Sequence, residues 1–116
     1  TLDKMINLPD NLHVIPPQPY LEFGYLALNA KAVITDSGGI TEECTVNGVP
    51  CITMRDSTER PETVSEGTNV LVGNDFDALR REVATVLHGK WKSGKIPELW
   101  DGKAGRRVVQ ILDEII

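Results

Sequence analysis

Two adjacent glycines stand between a hydroxyl and a pair of carboxylates in the run Asp36-Ser37-Gly38-Gly39-Ile40-Thr41-Glu42-Glu43. The apolar residues before them, Ala32-Val33-Ile34, read as a short buried strand, and residues 40–47 carry a helical pattern. Glycines at such a junction leave the backbone bare. The first amides of the helix then point outward, unpaired, at the positive end of its dipole. A phosphate fits there directly, with Ser37 adding a hydroxyl. A plain tight turn explains the same two glycines, and this stretch alone does not separate the readings.

A second chemical stretch is Arg55-Asp56-Ser57-Thr58-Glu59-Arg60-Pro61-Glu62, densely charged and without helical or strand periodicity. Arg55 and Arg60 suit a diphosphate, because a planar guanidinium makes two parallel bonds to phosphate oxygens. A solvated loop laced by Asp56, Glu59 and Glu62 is the plainer alternative. Glu42 and Glu43 favour the positive end of a helix but repel a phosphate bound there. Glu42 therefore reads as a surface acid that stabilises the helix. Glu43 lies about 100° further round, from where it can grip a ribose diol as the acidic residue of dinucleotide-binding folds does. Tyr20 and Phe23 offer rings to a base, although rings at helical spacing more often belong to a core.

These groups need elements to hold them. After a turn at 9–11, residues 12–15 (Leu-His-Val-Ile) read as a first strand stopped by Pro16-Pro17, with His13 a structural or edge residue. Residues 20–30 suggest a helix covered on one side by a sheet. Residues 32–35 are the second strand, and 40–47 a helix closed by Asn47-Gly48. Residues 50–54 and 69–72 are the third and fourth strands, with a short helix over 62–66. Asn74 suits the N-cap of a helix whose stripe runs through Phe76, Leu79, Val83, Val86 and Leu87. Residues 91–105 are loop-like, and 106–116 form a last amphipathic helix. Strands alternate with helices throughout, which argues for an α/β fold with a parallel sheet. In such folds ligands bind at the carboxyl ends of the strands, where residues 16–20, 37–39 and 55–60 all fall.

With 116 residues and 41% hydrophobic content, the chain suffices for one modest domain. Its net charge of −5 and lack of a basic cluster argue against a nucleic-acid partner. No apolar run approaches the roughly 20 residues of a membrane span, and no signal-peptide pattern opens the chain. Cys44 and Cys51 are too few for a zinc site and read as reduced core residues of a cytoplasmic protein. A start on Thr1 rather than Met hints at a piece of something longer.

The run 36–43, then Gly48-Val49-Pro50, the string 55–62, Gly67-Thr68 and Leu71-Val72-Gly73 closely resemble the non-phosphorylating, cofactor-free UDP-N-acetylglucosamine 2-epimerases. The likeness runs over residues 14–73 in order and without gaps, and Trp100-Asp101-Gly102-Lys103-Ala104 is similar too. The resemblance implies a glycosyltransferase-B-type enzyme: two Rossmann-like domains with UDP in the cleft, held mainly by the C-terminal one. Residues 1–116 would be a partial C-terminal UDP-binding domain, with the N-terminal domain and the first strands of this one missing. Ser37, Gly38 and Gly39 would hold the diphosphate, Glu43 the ribose hydroxyls, Phe23 would lie against uracil, and Arg60 would face the nucleotide-sugar cleft. The implied reaction inverts C2 of UDP-GlcNAc to give UDP-ManNAc, by anti elimination of UDP to a glycal and its re-addition, without cofactor or metal. It would serve cell-surface polysaccharide synthesis.

The family's acid/base groups lie upstream, and neither His13 nor His88 sits in a matching motif. The resemblance thus implies no catalytic residue in this chain and no epimerisation by it alone. A donor domain of another glycosyltransferase-B-like enzyme is the alternative, disfavoured by the Arg55–Glu62 string. The implied strand order 3-2-1-4-5-6 makes residues 12–15 the third strand and 32–35 the fourth. Strands one and two would leave a slot between them, an open edge that implies self-association, most simply a homodimer.

Overall fold

The computed structural model describes residues 9–98 and 100–115. Residues 1–8 of the polar opening stretch and Ile116, the expected end of the last helix, lie outside them. Three strands, β1 (Val33–Thr35), β2 (Cys51–Thr53) and β3 (Asn69–Leu71), pair in parallel in the order β1-β2-β3. The described residues also form five helices: α1 (Tyr20–Leu28), α2 (Gly39–Asn47), α3 (Glu62–Ser65), α4 (Phe76–Leu87) and α5 (Ala104–Ile115). The order agrees with strands four, five and six of the expected sheet standing side by side.

The central strand explains the choice of residues. β2 is buried along its whole length, and Cys51 and Ile52 are fully enclosed, as a parallel strand covered on both faces requires. On one face Ile40, Cys44, Val49 and Cys51 cluster, with Ala27 and Val33 packed against them. Threonine and asparagine fill much of the remaining interior: Thr41, Thr45, Thr53, Thr63, Thr68 and Asn69 are all buried. Burial of that many polar groups is tolerable only when they are hydrogen-bonded. Thr68 Oγ1 donates to the Val49 carbonyl at 2.7 Å and Thr41 Oγ1 to that of Gly38 at 2.6 Å.

Three expectations need correction. Residues 12–15 form no strand, and Leu12, Val14 and Ile15 are about half exposed. A strand exists only through a partner, and none of the three strands present takes it up; among the described residues no strand pairs with the outer edge of β1, and Ile34 is 50% exposed. Helix α1 is not covered by a sheet: it buries no residue, and Leu21 is 78% exposed. Ala27 packs on the core cluster, while a hollow of about 480 Å³ bordered by Leu21, Gly24, Val46 and Trp100 opens beside it. The N-cap of α4 is Asp75, not Asn74. Gly73 turns the chain at φ +57°, and the extended Asp75 accepts from the amides of Asp77 and Ala78, both at 3.0 Å.

Two other features match the reading. Gly48 ends α2 in the left-handed conformation at φ 70°. Residues 91–98 are a docked loop. Trp91 Nε1 donates to the Thr68 carbonyl at 2.8 Å, and Lys92 Nζ reaches the carbonyls of Val64 (2.7 Å) and Asn69 (2.6 Å). Partial desolvation of the ammonium as it meets these carbonyls lowers the Lys92 pKa. The stripe of α5, by contrast, buries nothing within the described residues, leaving Val108, Ile111, Leu112 and Ile115 exposed.

Gly67 sits where these layers meet. A Cβ there would lie 2.4 Å from Thr45 Oγ1 and 2.7 Å from the Thr63 carbonyl. Gly67→Ala should therefore cost about 1–3 kcal/mol through overpacking, measured by urea unfolding followed by circular dichroism. An unchanged midpoint would show that the layers can separate freely at this point.

Candidate functional site

The strands run parallel and in register, Thr35 opposite Thr53, so the chains leaving β1 and β2 emerge side by side. The Met54 amide donates to the Thr35 carbonyl at 2.8 Å and extends that alignment by one step. The glycine run and the arginine loop are thereby made neighbours, although a helix and a strand separate them in the chain. Gly38 and Gly39 share a cleft of about 270 Å³ with Glu42, Arg55, Thr58, Glu59 and Arg60.

The two readings of the glycines now separate. Gly38 adopts ordinary helical dihedrals (φ −75°, ψ −27°), and Gly39 is not among the glycines with positive φ. A Cβ on Gly39 would meet nothing within 4 Å, and one on Gly38 only Arg55 Nη1 at 3.9 Å. Neither the turn nor the packing therefore demands glycine. No side chain caps the N-terminus of α2, so its first amides have no side-chain acceptor there, an arrangement that can receive an anion. Ser37 is exposed beside them, its amide donating to Thr35 Oγ1 at 3.0 Å.

Arg60 reaches the same cleft and is held there by Glu42, its Nε donating to Oε1 at 2.9 Å. Both side chains are about half exposed, so the pair is worth less than about 1 kcal/mol and orients more than it stabilises. Arg55 makes no side-chain hydrogen bond or ion pair among the described residues. An unpaired guanidinium near an uncapped helix N-terminus gives positive potential on this side of the cleft.

On the other side of Gly39 lies a second cleft of about 240 Å³. Tyr20, Phe23, Thr35, Ser37, Ile40 and Glu43 line it. Here the Tyr20 hydroxyl donates to Glu43 Oε1 at 3.3 Å, which turns the carboxylate toward the ring-lined side. The six residues singled out from the sequence thus divide into two adjoining compartments. Gly38 and Arg60 line one, Phe23, Ser37 and Glu43 the other, and Gly39 both.

Sequence reasoning missed two contacts. Glu42 is the partner of Arg60 and not only a helix-stabilising acid, and Tyr20 serves Glu43 and not only a ring face. Neither pairing has a local signal, because the partners lie 18 and 23 residues apart. The two cysteines are free, buried thiols on the core side of α2 and β2. A hydrogen bond with Cys51, and then burial, push the Cys44 thiol far up, which keeps it protonated and inert. No group of side chains able to hold a metal occurs among the described residues, and no helix there is long and apolar enough to cross a membrane.

The model of the family described as UDP-N-acetylglucosamine 2-epimerase matches residues 1–113. The chain belongs to that family. A UDP-N-acetylglucosamine 2-epimerase of Methanocaldococcus jannaschii is 45% identical over 117 aligned residues, covering 94% of this chain and 31% of the relative. The solved structure of the M. jannaschii UDP-GlcNAc 2-epimerase in complex with UDP-GlcNAc and UDP superposes with a TM-score of 0.76 at 43% identity. That superposition covers 97% of this chain and 30% of that one. The UDP-GlcNAc 2-epimerase of Neisseria meningitidis bound to UDP-GlcNAc gives 0.70 at 33% identity, over 90% and 30%. The chain therefore spans less than a third of the length of these 2-epimerases, and the α/β parallel-sheet fold is common to all of them.

Proposed function

We propose that this chain supplies the UDP-binding part of a UDP-N-acetylglucosamine 2-epimerase, interconverting UDP-GlcNAc and UDP-ManNAc by elimination and re-addition of UDP. The observation that carries the reading is the uncapped N-terminus of α2 with the unpartnered Arg55 over it. The diphosphate lies against Ser37, Gly38 and Gly39, with Arg60 facing the sugar side. The ribose diol meets Glu43, and the uracil meets Phe23. Elimination leaves negative charge on the departing diphosphate, and the α2 amides and the arginines are already aimed at that charge before the bond breaks. Such groups speed a reaction when they bind the developing charge better than the intact substrate. The resemblance puts the family's acid/base groups upstream of this stretch, so in this reading the chain does not epimerise by itself. The reading places the enzyme in the cytoplasm, serving cell-surface polysaccharide synthesis.

Calorimetry with UDP tests the assignment. Gly39→Asp puts a carboxylate where the diphosphate approaches and should weaken binding by several kcal/mol. Glu43→Gln should cost about 1–3 kcal/mol against UDP and far less against 2′-deoxy-UDP. Unchanged affinity in the first variant, or equal losses for both ligands in the second, would remove the corresponding role. Incubation of the purified chain with UDP-GlcNAc should give no UDP-ManNAc above background, and any turnover would show that an acid/base group has been overlooked.

The open edge of β1 and the unpaired residues 12–15 together favour association with a second copy, most simply as a homodimer. Light scattering after size exclusion should give twice the chain mass at high micromolar concentration. A monomer there would show that the exposed edge is protected by its own side chains.

A further inference from the structure

Behind the exposed arginine loop runs a line of buried hydroxyls and one amide that the UDP reading does not use. Thr53 Oγ1 lies 2.5 Å from Asn69 Oδ1, Asn69 Nδ2 lies 3.1 Å from Thr63 Oγ1, and Thr63 Oγ1 lies 2.8 Å from the carbonyl oxygen of Arg60. Thr53, Thr63 and Asn69 are each at most 1% exposed.

The direction of every bond is forced. The Arg60 carbonyl can only accept, so the Thr63 hydroxyl hydrogen points to it. The Thr63 oxygen is then an acceptor and must face the amide nitrogen of Asn69. That turns Asn69 Oδ1 toward Thr53, whose hydroxyl donates. Cys51 Sγ, 3.9 Å from Thr53 Oγ1, is left to donate to it. The chain is polarised in one sense from the middle of the sheet to the loop, and such chains reinforce each bond along them.

We propose that Asn69 and Thr63 are positioning residues for Arg60, carrying the register of β2 and β3 to the loop that faces the cleft. Arg60 is an exposed residue in a loop without regular structure, yet it is gripped at both ends. Its carbonyl takes the Thr63 hydroxyl and the Thr63 amide (3.0 Å), and its guanidinium takes Glu42. The Glu42 pair is too exposed to fix a long side chain alone. The buried end sets where the backbone of Arg60 starts, and Glu42 chooses among the rotamers that remain. Pro61 after Arg60 narrows the backbone further. An arginine whose backbone is already placed loses less freedom when an anion arrives, so the same charge binds more tightly.

The inference rests on Arg60 serving the UDP cleft, but its test does not depend on UDP alone. Thr63→Val keeps the shape and removes the hydroxyl; Thr63→Ser keeps the hydroxyl and removes the methyl. In the unliganded 116-residue chain, Thr63→Val should move the Arg60 Nε–H resonance toward the position of a free arginine. Thr63→Ser should leave it in place. UDP affinity should fall about tenfold in Thr63→Val and less than twofold in Thr63→Ser. Val83→Ala on α4, far along the chain from the relay, serves as the stability control and should leave both readouts at wild type. An unmoved Arg60 resonance in Thr63→Val, or an equal shift in Val83→Ala, overturns the relay. Should the wild-type chain fail to bind UDP, the functional reading falls, while the resonance still decides whether the relay positions Arg60.

Discussion

The in-register parallel pairing of β1 with β2 is the constraint on which the site depends. Parallel strands cannot be joined by a hairpin, so each must be followed by a helix or loop that returns to the far end. That requirement places the chain after Thr35 beside the chain after Thr53. One becomes the α2 N-terminus and the other the arginine loop. A slip of one residue in β2 would turn Cys51 and Thr53 to the opposite face. It would take Thr53 away from Asn69 and Cys51 out of the core cluster at once. Core packing and the buried polar line therefore select the same register, and agreement between independent layers of this kind is what makes a short sheet specific.

Much of the interior is held by hydrogen bonds that an apolar core would not need. Threonine offers a methyl to pack and a hydroxyl to pair, and its branched Cβ suits a strand. Where the pairing is complete, as at Thr53, Thr63, Thr68 and Asn69, the interior gains directional information. Where it is incomplete, as at the buried Thr45 hydroxyl beneath Gly67, the cost is an unsatisfied donor. Net stability from such a core is modest, and the exposed stripes of α1 and α5 add little among the described residues.

The sequence was most informative where the signal is local. β2 and β3 each centre on a β-branched apolar residue, Ile52 and Val70, Gly48 marks the end of α2, and the spacing of 36–43 puts glycines at a strand-to-helix turn. It misled where structure depends on a partner that periodicity does not report. Leu12-His13-Val14-Ile15 has the composition of a strand, but pairing decides whether one forms. Asn74 and Asp75 are both good caps, and the positive φ of Gly73 shifts the choice to the second. Asn69 looks like a weak strand residue by type, and only the fold shows it joining Thr53 to Thr63. Glu42 is likewise ambiguous until the loop 18 residues later returns to it.

The charge balance of the first cleft has a consequence for the proposed chemistry. Arg55 and Arg60 face Glu42 and Glu59 there, two cations against two anions. Formal charge thus cancels, and in the proposed role the attraction for a diphosphate rests on the α2 amides, on the unpaired Arg55 and on Arg60 trading Glu42 for a phosphate oxygen. That exchange is inexpensive because the pair is solvent-exposed. A strongly cationic pocket would bind substrate and departed UDP alike, and uniform binding does not lower the barrier. A neutral cleft with pre-aimed donors responds instead to the extra charge that appears as the bond to the sugar breaks. On the proposed reaction the departed UDP, which carries that charge in full, is the form these donors hold best, and so it stays in place for re-addition.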